Sequence, residues 1–136
     1  MPFIAKNKVR MHDTDMAGIL YFARQFRFVH DTFEDFIASE GLDINHMFRE
    51  ERFIFVIVHV EADYYHSLRL GDDIEVHLSV AHIGTTSFTL EYKMFRGEQL
   101  TGTAKTVHVC IDNKERTKCP LPESFIPSLK KYEIQE

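Results

Sequence analysis

Two aspartates two positions apart, Asp13 and Asp15, are the residues of this sequence best suited to chemistry. They lie in a segment of short polar residues that includes Gly18, directly before a phenylalanine-rich stretch that starts at Phe22. A carboxylate in such a loop can act as a general base or as a nucleophile. The start of a helix beside it offers unpaired backbone N–H groups, which stabilise a developing oxyanion. The pattern fits acyl transfer to water, and it equally fits aspartates that cap a turn or a helix.

Other polar side chains offer weaker candidates. His30 lies within the apolar face predicted for the helix, where it is a pocket residue, a core histidine hydrogen-bonded to a backbone carbonyl, or an interface contact. His59, Glu61 and Asp63 alternate along one predicted strand and share a face, as metal ligands can. No dense His/Cys spacing accompanies them, so a polar strand face is preferred and no metal is predicted.

The elements that must hold the loop follow from hydrophobic periodicity. Residues 3–11 read as a strand and 12–21 as a loop, and a helix is predicted from about 22 to 40, ended by Gly41. Its apolar stripe is predicted to contain Phe22, Phe26, Val29, Phe33 and Ile37. Four further strands are predicted at 53–63, 73–82, 86–96 and 100–111. Because the turns between most of them are short, the strands are antiparallel, which predicts an α+β fold with the sheet curled around the helix.

Composition indicates one domain over residues 1–136, with a polar tail from about residue 120. Hydrophobic residues make up 44% of the chain and the formal net charge is −5. The acidic balance argues against a nucleic-acid surface, and the lack of a long apolar run argues against membrane insertion. Two cysteines, Cys110 and Cys119, are too few for a disulfide framework, and no export signal is recognisable, so a cytoplasmic location is expected.

Three segments carry a resemblance to a known family. Residues 9–22, which contain an Asp-Thr-Asp run followed by a glycine, an aliphatic pair and two aromatics, resemble the active-site segment of the 4-hydroxybenzoyl-CoA thioesterase family. That family includes the acyl-CoA thioesterases associated with the Tol–Pal operon. Residues 62–73 and 82–88 are similar to two of its later turns. The resemblance spans roughly residues 5 to 125 and implies the hotdog fold, a long helix wrapped by a curved antiparallel sheet.

The resemblance also implies roles for particular residues. Asp15 occupies the catalytic position, where it attacks the thioester carbonyl or activates a water molecule. Backbone N–H groups near Gly18 and Phe22 are implied to bind the thioester oxygen, and His30 and Tyr64 are candidates for the substrate pocket. The implied substrate is an acyl-CoA that runs along a subunit interface, so a homodimer or homotetramer is expected. The chemistry requires no metal or redox cofactor.

The sequence departs from the family in several places, and these departures keep alternatives open. Met11 stands where the Tol–Pal-associated members carry tyrosine, and Phe22 stands where they carry histidine. The turn at 83–86 lacks the basic residues that contact CoA phosphates in hydroxybenzoyl-type members, so an acyl carrier protein is an alternative acyl donor. His30 keeps open a hydratase or dehydratase on the same fold. In a non-catalytic thioester-binding protein, Asp15 would be a loop cap.

Overall fold

The computed structural model describes residues 1–50 and 52–134, without the side chain of Phe48. Its helices are α1 (Gln25–Ser39), α2 (Ile44–Arg49) and α3 (Ile126–Lys131). Its strands are β1 (Phe3–Lys8), β2 (Phe53–Tyr64), β3 (Asp73–Ile83), β4 (Ser87–Arg96) and β5 (Gln99–Asp112). Two short 3-10 helices, Met11–Asp13 and Phe22–Arg24, flank the Asp-Thr-Asp loop. No helix in these residues is long and apolar enough to cross a membrane.

The five strands form one antiparallel sheet in the order β1-β3-β4-β5-β2. The alternation that predicted β3 is reproduced in its burial, because Ile74, Val76, Leu78 and Val80 are all buried while their neighbours are not. β1 and β2 are the two edges of the sheet, and β2 is the longer of them with 12 residues. The predicted α+β arrangement of one long helix against an antiparallel sheet is confirmed.

The predicted apolar stripe of α1 is confirmed at Val29, Phe33 and Ile37, which are all buried. It is wrong at Phe22, which precedes α1 and is 62% exposed, and Phe26 is only partly buried. The buried face is wider than the stripe, because Phe28 and Phe36, each one position before a predicted member, are also fully covered. The buried residues of α1 are Gln25, Phe28, Val29, Thr32, Phe33, Phe36 and Ile37.

The segment after residue 120, predicted to be a polar tail, is instead part of the core. Leu121, Phe125 and Leu129 are buried, the last two completely, and α3 lies among them. Their four-residue spacing matches one face of a helix, but prolines and charged residues between them obscured the pattern in the sequence. Helix α2 was also missed; its start is fixed by Asp43, whose carboxylate accepts the Asn45 N–H at 2.9 Å.

Candidate active site

Asp13 anchors the loop from inside the protein. Its side chain is fully buried and accepts hydrogen bonds from the Arg10 backbone N–H at 2.8 Å and from Arg27 Nε at 2.7 Å. Arg27 also donates to Asp31 at 2.9 Å, and the Tyr21 N–H closes the loop onto the Asp13 carbonyl at 2.8 Å. Burial alone would raise the pKa of Asp13, but the bonds from Arg27 and Arg10 outweigh it and hold that pKa below its ordinary value. Asp13 is therefore a buried, ionised attachment point.

Asp15 lies at the exposed tip of the same loop. Its carboxylate accepts one hydrogen bond, from the Ala17 N–H at 2.8 Å, and its own N–H donates to the Ile19 carbonyl at 3.0 Å. Gly18 has a φ of 77°, which favours glycine, and its N–H donates to the Asp15 carbonyl at 3.0 Å. In this loop conformation the Gly18 N–H is thus used internally and is not directed at a thioester oxygen.

The end of the loop is fixed to the segment after β2. The Leu20 N–H donates to the Leu68 carbonyl at 2.7 Å, and the Tyr64 hydroxyl donates to the Phe22 carbonyl at 2.6 Å. Burial raises the pKa of Tyr64, so its hydroxyl stays protonated as a donor at neutral pH. A cavity of about 280 Å³ opens here, lined by Ile19, Leu20, Phe22, Gln25, Tyr64, Tyr65, His66, Ser67 and Leu68.

The helix start beside the loop is held against the sheet. Gln25 is buried, and its Nε2 donates to the carbonyls of Asp63 at 3.3 Å and Thr103 at 3.2 Å. A side chain at Gly102 would collide with Gln25, since a Cβ there would lie 2.8 Å from Oε1. Among the described residues, the Phe22 N–H has no hydrogen-bond acceptor. This leaves a backbone donor free at the mouth of the cavity, as an oxyanion-binding group must be.

Two supporting residues, Gln25 and Arg27, were not singled out from the sequence. Gly102 was a usable signal for Gln25, because a glycine inside a strand often marks a close approach of another group. Arg27 gave no such signal, since its position off the predicted stripe suggested only an exposed charge.

His30 is not a core histidine bonded to a backbone carbonyl. Its side chain is 57% exposed and its Nε2 lies 3.2 Å from a Glu34 carboxylate oxygen. It sits eight residues beyond Phe22, about 12 Å along the helix axis, so it is separate from the loop. It lines a second cavity, of about 200 Å³, with Phe26, Val29, Phe33, Ile57, Val60, Tyr92, Thr106 and His108.

The strand residues considered as metal ligands form a simple polar pair. His59 Nε2 lies 2.9 Å from a Glu61 carboxylate oxygen, and hydrogen bonding to this imidazole lowers the pKa of Glu61. In residues 1–50 and 52–134 no three His, Cys, Asp or Glu side chains lie close enough together to hold a metal ion.

Comparison with known proteins places this arrangement in a family. The family model described as the thioesterase-like superfamily matches residues 9–129. The chain belongs to the thioesterase-like superfamily. The match includes the Asp-Thr-Asp loop, α1 and all the strands after them. The predicted enzyme class, a thioester hydrolase of the acyl-CoA thioesterase type, is confirmed by the individual relatives described next.

Individual relatives of this thioesterase-like chain are similar over nearly its whole length. It is 34% identical to a 1,4-dihydroxy-2-naphthoyl-CoA hydrolase of Synechococcus elongatus over 116 residues, 85% of each chain. It is also 34% identical to the enzyme of that name from Rippkaea orientalis, over 94% of this chain and 95% of that one. The crystal structure of a 1,4-dihydroxy-2-naphthoyl-CoA thioesterase from Synechocystis is 30% identical and superposes with a TM-score of 0.89 over 96% of both chains. The hotdog fold implied by the sequence resemblance is therefore confirmed.

Proposed function

We propose that this protein hydrolyses an acyl-CoA thioester to the free acid and CoA, with Asp15 as the catalytic carboxylate. The observation that carries the proposal is the position of Asp15, exposed at the tip of a loop whose base is fixed by the buried Asp13–Arg27 pair. The carboxylate either attacks the thioester carbon, expelling the CoA thiolate and forming an anhydride that water cleaves, or takes a proton from an attacking water molecule. Both routes use the same residue and give the same products.

The Phe22 N–H is the proposed donor to the thioester oxygen. It lies at the start of the helical segment that leads into α1, and the Tyr64 hydroxyl fixes the carbonyl of the same residue at 2.6 Å. A backbone donor held in this way stabilises the negative charge that develops on the oxygen and needs little reorganisation during the reaction. Gly18 contributes by shaping the turn, and Tyr64 by orienting the helix start.

The names of the relatives favour an aromatic acyl group. Aromatic side chains, Phe22, Tyr64 and Tyr65, line the cavity at the helix start, and such walls suit a flat ring. We therefore propose an aryl-CoA as substrate, with an acyl carrier protein as the alternative donor.

Thiol release measured with a chromogenic thiol reagent tests this function. The panel contains benzoyl-, 4-hydroxybenzoyl-, 1,4-dihydroxy-2-naphthoyl-, hexanoyl- and palmitoyl-CoA, with wild type and Asp15→Asn run side by side. We expect the wild type to release thiol from the aryl thioesters and Asp15→Asn to do so far more slowly. No release from any CoA ester, followed by release from an acyl carrier protein ester, would move the assignment to the alternative donor.

We also propose that the chain works as a homo-oligomer whose subunits pair through β2. This edge strand exposes Ile57, Val58 and Val60, and a long apolar edge with unpaired backbone groups is a template for pairing with a second strand. Two copies related by a twofold axis would join their sheets and cover the groove between α1 and β2.

Sedimentation of the wild type, Val58→Lys and Ile4→Lys tests the assembly. Ile4 is 49% exposed on the opposite edge strand and provides the matched control. We expect wild type and Ile4→Lys to sediment at a multiple of the 16.0 kDa chain mass and Val58→Lys to dissociate. A monomeric wild type would contradict the proposed pairing.

The cytoplasmic location stays a prediction. Cys110 and Cys119 are free thiols with their sulfur atoms 3.1 Å apart, which is compatible with a reducing compartment.

A further inference from the structure

The second cavity contains a buried polar group that the proposed reaction does not use. Tyr92 lines this cavity from β4 with only 1% of its surface exposed, and its hydroxyl has no hydrogen-bond partner among the described residues. Burying a hydroxyl without a partner costs free energy, so such a group calls for a partner that the protein does not supply, either a water molecule or a ligand atom. Removal from water also raises the pKa of Tyr92 above its ordinary value, which leaves the hydroxyl protonated and able to donate.

The polar neighbours of Tyr92 do not satisfy it. Thr106 is the polar side chain nearest in effect, since it lowers the pKa of Tyr92, but it does not reach hydrogen-bond geometry with the Tyr92 hydroxyl. Its own hydroxyl lies 2.9 Å from His108 Nε2. His108 stacks between Phe33 and Phe88, with ring centroids 4.7 and 4.8 Å away. Burial lowers the pKa of His108 to about 4, with repulsion from His30 as the second cause, so the imidazole is neutral near pH 7. The cavity thus presents neutral polar groups and no buried charge of its own.

The remaining walls of this cavity are apolar, and its first lining residue on the helix follows Phe22 by four positions. Phe26, Val29 and Phe33 line it from α1, and Ile57 and Val60 from β2. Phe26 is one helical turn from Phe22, about 6 Å along the axis. An acyl group whose thioester oxygen is bound at the Phe22 N–H can therefore extend along α1 and place its far end in this cavity.

We infer that Tyr92 is a specificity-determining residue whose hydroxyl hydrogen-bonds an oxygen at the far end of the acyl group. The inference rests on the proposed function and narrows its substrate class to aryl thioesters that carry a hydroxyl or carbonyl oxygen remote from the thioester. An apolar ring without that oxygen leaves the Tyr92 hydroxyl unpartnered, so it binds less well. Charged ring substituents are disfavoured because no described counter-charge lines the cavity beyond the exposed His30.

A matched substrate pair and a matched variant pair test the inference. The substrates are 6-hydroxy-2-naphthoyl-CoA and 2-naphthoyl-CoA, which differ by one oxygen far from the thioester. The variants are Tyr92→Phe and, as control, Tyr132→Phe, which removes the hydroxyl of a tyrosine that packs against Phe3 and Phe36 outside the cavity. Denaturant unfolding checks the fold of each variant, and Tyr92→Phe is expected to be at least as stable as wild type, because the buried hydroxyl that it removes has no partner among the described residues.

We expect kcat/KM of the wild type to be about 10-fold higher for the hydroxylated ester. This ratio corresponds to the net free energy of one hydrogen bond at the upper end of its usual range. Tyr92→Phe should bring this ratio close to 1 by losing activity on the hydroxylated ester only, and Tyr132→Phe should keep it. A wild-type ratio near 1, or a preference that survives Tyr92→Phe, would overturn the inference. If the wild type hydrolyses neither of these esters nor any thioester of the panel above, the proposed function fails, and calorimetric titration of the two intact esters then decides the role of Tyr92. Tighter binding of the hydroxylated ester that is lost in Tyr92→Phe would support the pocket, and equal or absent binding would reject it.

Discussion

Asp13 and Asp15 are the same residue type two positions apart, yet the fold gives them opposite surroundings. Asp13 is fully buried, paired with Arg27 and bonded to the backbone at Arg10. Asp15 is exposed, and its carboxylate accepts a single bond from Ala17. The first carboxylate has its acceptor sites occupied by the protein, while the second has them largely free for a substrate or a water molecule.

These contrasting surroundings show how a loop can hold the proposed catalytic carboxylate in place. Arg27 belongs to α1, and it ties the buried carboxylate to the helix at 2.7 Å. The Leu20 N–H and Tyr64 hydroxyl fix the other end of the loop. The loop that carries Asp15 is thus hydrogen-bonded to the rest of the protein at both ends. This preorganises the carboxylate for the proposed reaction.

The largest expected effect is on turnover in Asp15→Asn. Because asparagine has the same size but is neither a base nor an effective nucleophile, kcat should fall by roughly 10²–10⁴-fold. The unfolding free energy should change by less than about 0.5 kcal/mol, as for other surface substitutions. Steady-state thiol release measures the first quantity. Asp73→Asn, at an exposed aspartate of β3 far along the chain from the loop, is the control and should keep wild-type turnover.

The pH dependence of the unfolding free energy extends the comparison to a second buried titratable group, His108. Asp13 is buried as an ion because Arg27 faces it, whereas His108 is buried neutral with its pKa lowered to about 4. The unfolded chain takes up a proton at this histidine near pH 6.5, whereas the folded chain does not until about pH 4. Protonation in this range therefore favours the unfolded state, so the unfolding free energy is unaffected above pH 6.5 and decreases as the pH falls toward 4. The loss should reach about 3 kcal/mol, since each pKa unit corresponds to about 1.4 kcal/mol.

Denaturant unfolding from pH 7.5 to 4 measures this loss in wild type, His108→Gln and His82→Gln. The His108 variant should show a shallower pH dependence, while the exposed His82 variant should follow the wild type. Identical slopes in all three would show that His108 is not buried neutral.

Asp13→Asn should mainly affect stability. The substitution leaves the Arg27 guanidinium without its ionised partner, so we expect the unfolding free energy to fall by about 2–3 kcal/mol. This is at or below the range for fully buried ion pairs, because the Arg27 side chain is 22% exposed. Urea unfolding measures the change. Turnover of the folded fraction should fall less than in Asp15→Asn, and an unchanged unfolding midpoint would show that the pair does not anchor the loop.

Arg27→Lys is expected to give the smallest loss of stability, and it tests whether the Asp13–Arg27 pair depends on charge or on geometry. Lysine keeps the charge but cannot reach both carboxylate oxygens with a planar fork, so we expect about 1 kcal/mol of lost stability. Urea unfolding of this variant beside Asp13→Asn separates the contribution of charge from that of geometry. Equal losses in the two variants would mean that charge alone is not sufficient.

Local sequence patterns predicted much of the fold, and long-range contacts account for most of what they missed. The alternation in β3 is a property of neighbouring residues, and so is the glycine at position 18 that the loop requires. The buried face of α1 was predicted only in part, since the burial of Gln25 depends on its hydrogen bonds to carbonyls 38 and 78 positions away in the sequence.

The candidate site shows the same division between local and long-range information. The Asp-Thr-Asp run and its resemblance identified the loop, but the residue types alone could not say which aspartate is buried. That choice depends on Arg27, 14 positions from Asp13, and on the depth to which the loop packs against α1. The burial of Tyr92 follows from the alternating pattern of β4, but that pattern does not reveal that its hydroxyl has no partner among the described residues.

We propose that the two neighbouring aspartates have separate roles, with Asp13 as the anchor of the loop and Asp15 as the catalytic carboxylate. Thiol release and urea unfolding, measured together on Asp13→Asn and Asp15→Asn with rates normalised to the folded fraction, separate these roles. We expect a crossed result, in which Asp15→Asn loses turnover at wild-type stability and Asp13→Asn loses stability while keeping much more of its turnover. Equal turnover in Asp15→Asn and wild type, or a larger loss of stability in Asp15→Asn than in Asp13→Asn, would contradict it.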